Sequence, residues 1–310
     1  MDYRKFIAEQ AEELRSTVGN GIAINALSGG VDSSVVTALA HRALGRRLKT
    51  YFVENGLMRE GEAKRVVALF RSLGIPVKLV DARAEFLGAL KGLTDPEEKR
   101  EAITRTFYRD VFARLVRESG ARFLLHGTIL TDIEETVAGI KRQHNILAQL
   151  GIDPEKEFGY RVLEPLKTLR KDGVRKVAAL LGLPAEITRR IPFPGPALAA
   201  RIVGEVTEEE LKLVRAATAI VEEELKSAKA FQYLAVLLKD RATGIRNNRR
   251  EFGRIVVVRC IQSTDARTAT ATRIPWPKLE RICARIVALP GVNRCLYDLT
   301  PKPPATVEYI

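Results

Sequence analysis

Residues 21–45, GIAINALSGGVDSSVVTALAHRALG, constrain the fold more than any other stretch of the chain. An apolar run stops at a glycine-rich turn, and a segment with Val35, Val36, Leu39, Ala40 and Leu44 on one face follows at once. The first part reads as a buried strand and the last as a helix. A strand that passes through glycines into a helix start presents free backbone N–H groups at the positive helix end, which is an anion site. Gly29 and Gly30 permit the tight turn and a close backbone approach. Ser28, Ser33 and Ser34 add hydroxyls, and Asp32 adds a carboxylate where a cation can bridge to phosphate. The turn sits at the carboxyl end of the first expected strand, where open α/β sheets bind ligands.

The same rhythm continues downstream. LKTYFVEN, PVKLVDA, RFLLHGT and YRVLEPL read as further strands, and GEAKRVVALFRSLG and KDGVRKVAALLGLP as helices with glycine stops. DPEEKREAITRTFYRDVFARLVRESG reads as one long helical region, acidic at its start and closed by Arg117 and Gly120. Such alternation predicts an open, parallel, twisted sheet of about five strands with helices on both faces. RRIPFPGPALAAR interrupts it, because its prolines cannot continue a helix or a central strand. Residues 1–192 are therefore expected to form one domain, 193–203 a proline-rich linker, and 204–310 a smaller α+β domain. Within the latter, TEEELKLVRAATAIVEEELKSA and WPKLERICARIVALPG read as helices, and RCLYDLT and ATVEY as short strands.

The chain of 310 residues, 46% hydrophobic and 29% charged, has the composition of a globular protein. No window approaches the ~18 apolar residues of a membrane span, and the charged N-terminal stretch lacks a signal-peptide core, so a cytoplasmic location is expected. Cys260, Cys283 and Cys295 are far apart and never form Cys-x-x-Cys, which argues against a disulfide framework or a zinc knuckle. The net charge of +13 suits a phosphate-rich partner, either nucleotides or nucleic acid. Bases interspersed with acids, and 6% aromatic residues, argue against nucleic acid.

The loop is neither Walker A, which needs a lysine absent here, nor a Gly-x-Gly-x-x-Gly fingerprint. SGGVDSS resembles instead the pyrophosphate-binding loop of the ATP pyrophosphatases, which cleave ATP between the α and β phosphates to adenylate a substrate. Other segments carry the resemblance to one branch of these enzymes. VENGLMREGEA is similar to the Val-Asp-Asn-Gly-Leu-Leu-Arg segment of GMP synthases, and HGTILTDIEE to their Gln-Gly-Thr-Ile-x-Pro-Asp-x-Ile-Glu-Ser. IKRQHN is similar to Ile-Lys-Ser-His-His-Asn, while PFPGPALAARIVGEVT and YDLTPKPPATVEY are patterns of that family. From about residue 20 to 309 the chain resembles the ATP-pyrophosphatase subunit of GMP synthase of the archaeal two-subunit type.

The resemblance implies an adenine nucleotide alpha-hydrolase-like fold followed by a dimerisation domain. It also implies a two-step ligase reaction. The O2 of xanthosine monophosphate (XMP) attacks the α-phosphorus of Mg-ATP, releasing pyrophosphate, and ammonia then displaces AMP to give GMP. By the same resemblance Ser28, Gly29, Gly30, Val31, Asp32, Ser33 and Ser34 hold ATP and its departing pyrophosphate, with Asp32 on Mg2+. Val53 flanks the adenine; Asp132, Glu134 and His144 belong to a lid, with Lys141 acting on the phosphates. Arg201, Lys302, Thr306 and Glu308 bind XMP. From the residues alone, Asp132 and Glu134 equally suit a solvated helix start, His144 a surface position, and the tail an edge strand with a proline bend.

No cysteine precedes residue 260, so a glutaminase nucleophile is missing and ammonia is expected from a separate glutaminase subunit or as free ammonium. A homodimer is expected through the C-terminal domain. Some positions depart from the family pattern. Glu54 stands for Asp or Asn, Thr131 for proline, Gln143 for histidine, GIRNNRR for Gly-Val-x-Gly-Asp-x-Arg, and Ile310 for an acid. Rival readings are another loop-sharing amide ligase such as an NAD synthetase, a tRNA-modifying adenylase, and a diverged non-catalytic nucleotide-binding paralogue. The Lys-Pro-Pro-Ala-Thr tail, the missing cysteine pair and the intact SGGVDSS loop count against them in turn.

Overall fold

Strand β1 (Ala23–Ala26) is almost wholly buried and lies at the centre of a five-stranded sheet. In this computed structural model, which describes residues 1–137, 159–188, 190–264 and 267–309, the chain divides into two compact units. The first comprises Met1–Glu54, Ala63–Ala82 and Thr104–Arg190, and the second Asn55–Glu62, Arg83–Ile103 and Ile191–Ile310. Residues 55–62 and 83–103, which a contiguous division places in the first domain, thus belong to the second unit.

In the first unit β2 (Leu48–Glu54), β3 (Val77–Asp81), β4 (Phe123–Leu125) and β5 (Arg161–Leu163) join β1 in the order β3-β2-β1-β4-β5. Every pairing is parallel. Buried on both faces, β1 and β2 need near-continuous apolar runs, while the edge strand β3 leaves Leu79 42% exposed. The order reverses at β1: β2 and β3 lie to one side, β4 and β5 to the other. The crevice between the carboxyl ends of β1 and β4 is the topological switch point.

The first helices are α1 (Tyr3–Val18), α2 (Val31–Leu44), α3 (Glu62–Ser72), α4 (Arg83–Leu90) and α5 (Pro96–Arg105). They are followed by α6 (Ala113–Ser119), α7 (Leu130–Val137), α8 (Lys171–Leu180) and α9 (Ala185–Thr188). α1 was not foreseen, because charged residues dominate its sequence. Yet Phe6, Ile7, Ala11, Leu14 and Val18 form a buried stripe, and Asp2 caps its start by accepting from Arg4 N and Lys5 N. α1, α2 and α8 pack on one another. The long helical region expected over 95–120 forms, as α5 and α6 joined through a wider π turn, Thr106–Phe112, that buries Tyr108, Val111 and Phe112.

Asn25 joins sheet to helix. Its side-chain amide donates to Thr37 Oγ1 (2.6 Å) and accepts from Thr50 Oγ1 (2.7 Å), while Thr37 Oγ1 donates to Ser33 O (2.7 Å). This buried chain sets the depth at which α2 begins over β1 and β2.

In the second unit α10 (Glu208–Leu225), capped by Thr207, precedes β6 (Gln232–Arg246) and β7 (Arg249–Gln262). These strands form an antiparallel hairpin joined by Asn247 and Asn248, both at positive φ. β7 also pairs antiparallel with β8 (Thr270–Ala271) and parallel with β9 (Val292–Asp298), so this sheet is mixed. α11 (Trp276–Val287) packs on β9 and α10. The strand expected at ATVEY does not form: residues 306–309 are irregular, and Arg259 takes the carbonyls a ladder would use. Lys99 is buried and donates to Ile202 O (2.8 Å) and Gly204 O (3.0 Å), and burial pulls its pKa down to about 8. Among the described residues no helix is long and apolar enough to cross a membrane.

Replacing Asn25 with Ala takes from the buried Thr50 hydroxyl its acceptor and from Thr37 Oγ1 its donor. We expect a loss of about 2–3 kcal/mol, read as a lower urea midpoint at unchanged slope.

Candidate active site

The loop from Ser28 to Ser34 leaves the carboxyl end of β1, and Gly29 turns at φ 77°, a value open to glycine. Gly30 is the N-cap of α2, and among the described residues no side chain caps that helix. The serines bond to the loop itself. Ser33 Oγ donates to Gly30 O (3.1 Å) and accepts from Ser28 N (3.2 Å), Ser28 and Ser33 hydroxyls meet at 2.9 Å, and Gly30 N donates to Ser28 Oγ (3.3 Å). These bonds hold the turn open, with the first amides of α2 at its rim. Ser34 is fully buried. Arg190 Nη1 donates to Gly29 O at 2.6 Å.

Asp32 carries the main charge. Its Oδ2 accepts from Lys171 Nζ at 2.6 Å, while Oδ1 is buried without a hydrogen-bond partner among the described residues. Lys171 is the first residue of α8, and Arg170, its N-cap, pairs with Glu134 on α7. Cations at a helix start oppose the helix dipole, so these two basic residues owe their place to the acids they meet. Both lie in the LEPLKTLRKDG segment, where that inversion was the legible signal. Asp132 accepts from Ile129 N (3.1 Å) at the start of α7. Val53 is buried next to the end of β2, paired with Val80 of β3. Lys141 and His144 lie outside the described residues.

Beside the loop, at the end of β4, His126, Gly127 and Thr128 form the other wall of the crevice. A Cβ on Gly127 would lie 3.5 Å from Asp32 and from Ser33 N. His126 Nδ1 meets Thr128 Oγ1 (2.9 Å), Thr128 Oγ1 donates to Glu164 Oε1 (2.5 Å), and Tyr108 Oη lies 3.3 Å from His126 Nε2. Burial pushes the Tyr108 phenol up to about 12, so it stays protonated.

The second unit holds the remaining candidates. Arg201 is 1% exposed and forks onto Glu308, Nε to Oε2 at 3.1 Å and Nη2 to Oε1 at 3.0 Å. Its Nη1 is buried without a hydrogen-bond partner among the described residues. Its guanidinium stacks on Phe193 (4.8 Å), as does that of Arg59 (3.9 Å). Glu308 also accepts from Gln232 Nε2 (2.5 Å), and Thr306 Oγ1 donates to Glu308 O. Lys302 pairs through its backbone with Ala269. Arg201, Thr306 and Glu308 are thus brought together, on a scaffold the sequence reading missed. Arg259, fully buried, donates to Asp298 Oδ2 (2.6 Å), Thr300 O (2.9 Å), Thr306 O (3.0 Å) and Val307 O (3.2 Å). Burial raises the Asp298 pKa, but hydrogen bonds from Thr300 and Tyr309 and the charge of Arg259 outweigh it, so the carboxyl is held below its ordinary value.

Comparison with known proteins places these residues among relatives. A family model described as GMP synthase C terminal domain matches residues 219–309, and one described as Asparagine synthase matches residues 13–129. The chain is 49% identical over 310 residues to a subunit of GMP synthase (glutamine-hydrolyzing) from Archaeoglobus fulgidus, covering 100% of both. It is 47% identical over 313 residues to the subunit of that name from Pyrococcus horikoshii, again covering 100% of both. With that from Methanocaldococcus jannaschii it shares 48% over 314 residues and 99% of both. Among solved structures, the NH3-dependent NAD synthetase from Campylobacter jejuni gives a TM-score of 0.48 at 16% identity, covering 61% of this chain and 78% of that one.

Because Arg259 ties four acceptors together, Arg259→Met removes the counter-charge of the Asp298 carboxylate and the buried donor to three carbonyls. A loss of about 3–5 kcal/mol in urea unfolding is expected, with faster proteolytic cleavage after Leu299. Since the Asp298 pKa is depressed, its contribution is full above the ordinary carboxylate range and fades as pH falls through its lowered value.

Proposed function

Because the chain belongs to this family of glutamine-hydrolyzing GMP synthase subunits, as its identities of 46–49% along nearly the whole length establish, we propose that it works as follows. The Ser28–Ser34 loop binds the β and γ phosphates of ATP, and the second unit's Arg201 cluster binds XMP. The O2 of XMP attacks the α-phosphorus, the bond to the β-phosphate oxygen breaks, and pyrophosphate departs into the loop. Ammonia then adds at C2 and AMP leaves.

The observation that carries this reading is the uncapped start of α2 over Gly29 and Gly30. Its amides need an acceptor, and a phosphate oxygen satisfies them with charge to match. Lys171 adds a cation where negative charge grows on the leaving group, and such fixed donors are worth about 3–4 kcal/mol each in the transition state. Ser28 and Ser33 hydroxyls, now bonded to each other, can rotate onto phosphate oxygens. The unpartnered Oδ1 of Asp32 fits Mg2+, which takes one or two carboxylates and completes its shell with phosphate oxygens and water. When bound, the ion would neutralise charge on the leaving phosphates.

Arg201 and Glu308 supply a fork and a carboxylate of the kind that reads a nucleotide's phosphate and base. The word subunit in the relatives' name supports a separate glutaminase subunit as the ammonia source. A homodimer through the second unit is supported by the exposed face of the β6–β7 hairpin. There Ile245 is 81% exposed and Phe252 63%, and Thr243 pairs with Phe252 and Ile245 with Arg250 along one side.

Asp32→Ala is expected to abolish XMP-dependent pyrophosphate release in the presence of ammonium; unchanged turnover would refute the loop's role. Arg201→Ala should raise the KM for XMP by about tenfold or more while leaving that for ATP nearly unmoved, and the reverse pattern would remove Arg201 from the XMP site.

A further inference from the structure

The fork of Arg201 onto Glu308 depends on where the backbone around Arg201 is held, and part of that hold comes from α5. Asp95 opens this helix, its Oδ1 accepting from Glu97 N (2.8 Å) and Glu98 N (3.0 Å), and Lys99 and Ile103 are the residues α5 buries. A lysine thus occupies a core position of the second unit. Its Nζ donates to Ile202 O (2.8 Å) and Gly204 O (3.0 Å), the two carbonyls on either side of Val203. Gly204 stands at φ 117°, a left-handed value open to glycine. Val203 N donates to Leu237 O of β6 (2.8 Å), and Glu205 Oε1 accepts from Gly92 N (2.7 Å). On the other side of Arg201, Leu198 N donates to Leu57 O (2.9 Å). Residues 83–103 belong to the second unit, and through Gly92 and Lys99 they tie down the segment that follows Arg201.

We propose that Lys99 is a positioning residue for Arg201: it fixes the backbone that carries the guanidinium, so that the fork meets Glu308 and the anionic part of XMP together. The proposal rests on the reading of Arg201 as an XMP residue. A buried ammonium is a costly way to satisfy two carbonyls. Burial pulls the Lys99 pKa down to about 8, against the opposing charges of Asp95 and Glu210. Both of those carboxylates are engaged elsewhere, Asp95 at the start of α5 and Glu210 on Arg254 Nη2 (2.8 Å). What the charge supplies is a firm hold. Hydrogen bonds from an ionised donor are about twice as strong as neutral ones, and an ammonium has N–H groups enough for both acceptors. The group held is Arg201, 1% exposed, whose Nη1 has no hydrogen-bond partner among the described residues. That N–H is free to serve a ligand oxygen, and a fork serves only when its placement is good to about half an ångström.

The test follows XMP-dependent pyrophosphate release by the full chain with saturating ammonium chloride, and reads the KM for XMP, the KM for ATP and kcat separately. Lys99→Met keeps an unbranched stem and removes the donors. Its KM for XMP should rise about tenfold through misplacement of the fork, with the KM for ATP and kcat changed by less than about twofold. Glu205→Ala loosens the second tie at the surface, and should raise the KM for XMP by about two- to threefold. Because Lys99 acts through Arg201, adding Lys99→Met to Arg201→Ala should shift the KM for XMP by less than about twofold further. An unchanged KM for XMP in Lys99→Met, equal rises for XMP and ATP, or a double variant that shows the full product of both effects would overturn the proposal. Should Lys99→Met not fold, Glu205→Ala in the wild-type and Arg201→Ala backgrounds decides by the same rule. A wild-type KM for XMP in Arg201→Ala would overturn instead the reading of Arg201 beneath it.

Discussion

A helix that starts over the middle of a parallel sheet with no side chain to cap it leaves donors that must find an acceptor. That is the condition of α2, whose N-cap is Gly30. A serine or aspartate in that place would have stabilised the helix by about 1 kcal/mol and filled the anion site. Glycine leaves it open. The serines that flank the turn spend their hydrogen bonds on its shape, since Ser33 Oγ ties Gly30 O and Ser28 N together. Stability is given up at the helix start so that a ligand can recover it.

The opening stays rigid because buried polar chains reach it from two sides. From below, Asn25 connects Thr50 of β2 to Thr37 of α2, and Thr37 holds Ser33 O. From the side, Tyr108, His126, Thr128 and Glu164 hold the turn that carries Gly127 against Asp32 and Ser33. Neither chain touches the expected position of the phosphates. Both act on the backbone that presents the amides, so precision in the site derives from satisfied groups in the core. In the second unit Arg259 has the same part: it bonds the backbone around Glu308 and leaves the Glu308 carboxylate to Arg201 and Gln232.

Much of this was legible in the residues. The apolar runs marked all five parallel strands, and the strand–glycine–helix string located the loop, because burial on both faces and a tight turn each demand a narrow choice of side chains. What could not be read were the partners. Lys171 lies 139 positions from Asp32 along the chain, and nothing in KDGVRK names that acid. α1 escaped because its charges hide a buried stripe, and the π turn because a helix that widens keeps helical composition. ATVEY was expected as a short strand. It does not form because the buried Arg259 guanidinium takes the Thr306 and Val307 carbonyls.

The GIRNNRR segment shows how a departure from a family pattern can keep its geometry. In it Asn247 and Asn248 turn β6 into β7 at φ 50° and 58°. A two-residue hairpin of type I′ needs positive φ at both positions, and asparagine is the side chain that tolerates it best after glycine. Gly244, by contrast, remains glycine for a reason unrelated to the turn. A Cβ there would lie 2.6 Å from the Asn293 side chain, and one on its neighbour Gly253 2.5 Å. β9 presses Asn293 onto that face of the hairpin, and no other residue fits beneath it. A glycine that serves only a conformation has asparagine as a substitute, whereas one that serves a contact has none, so Asn247 and Asn248 keep the hairpin and the face it exposes.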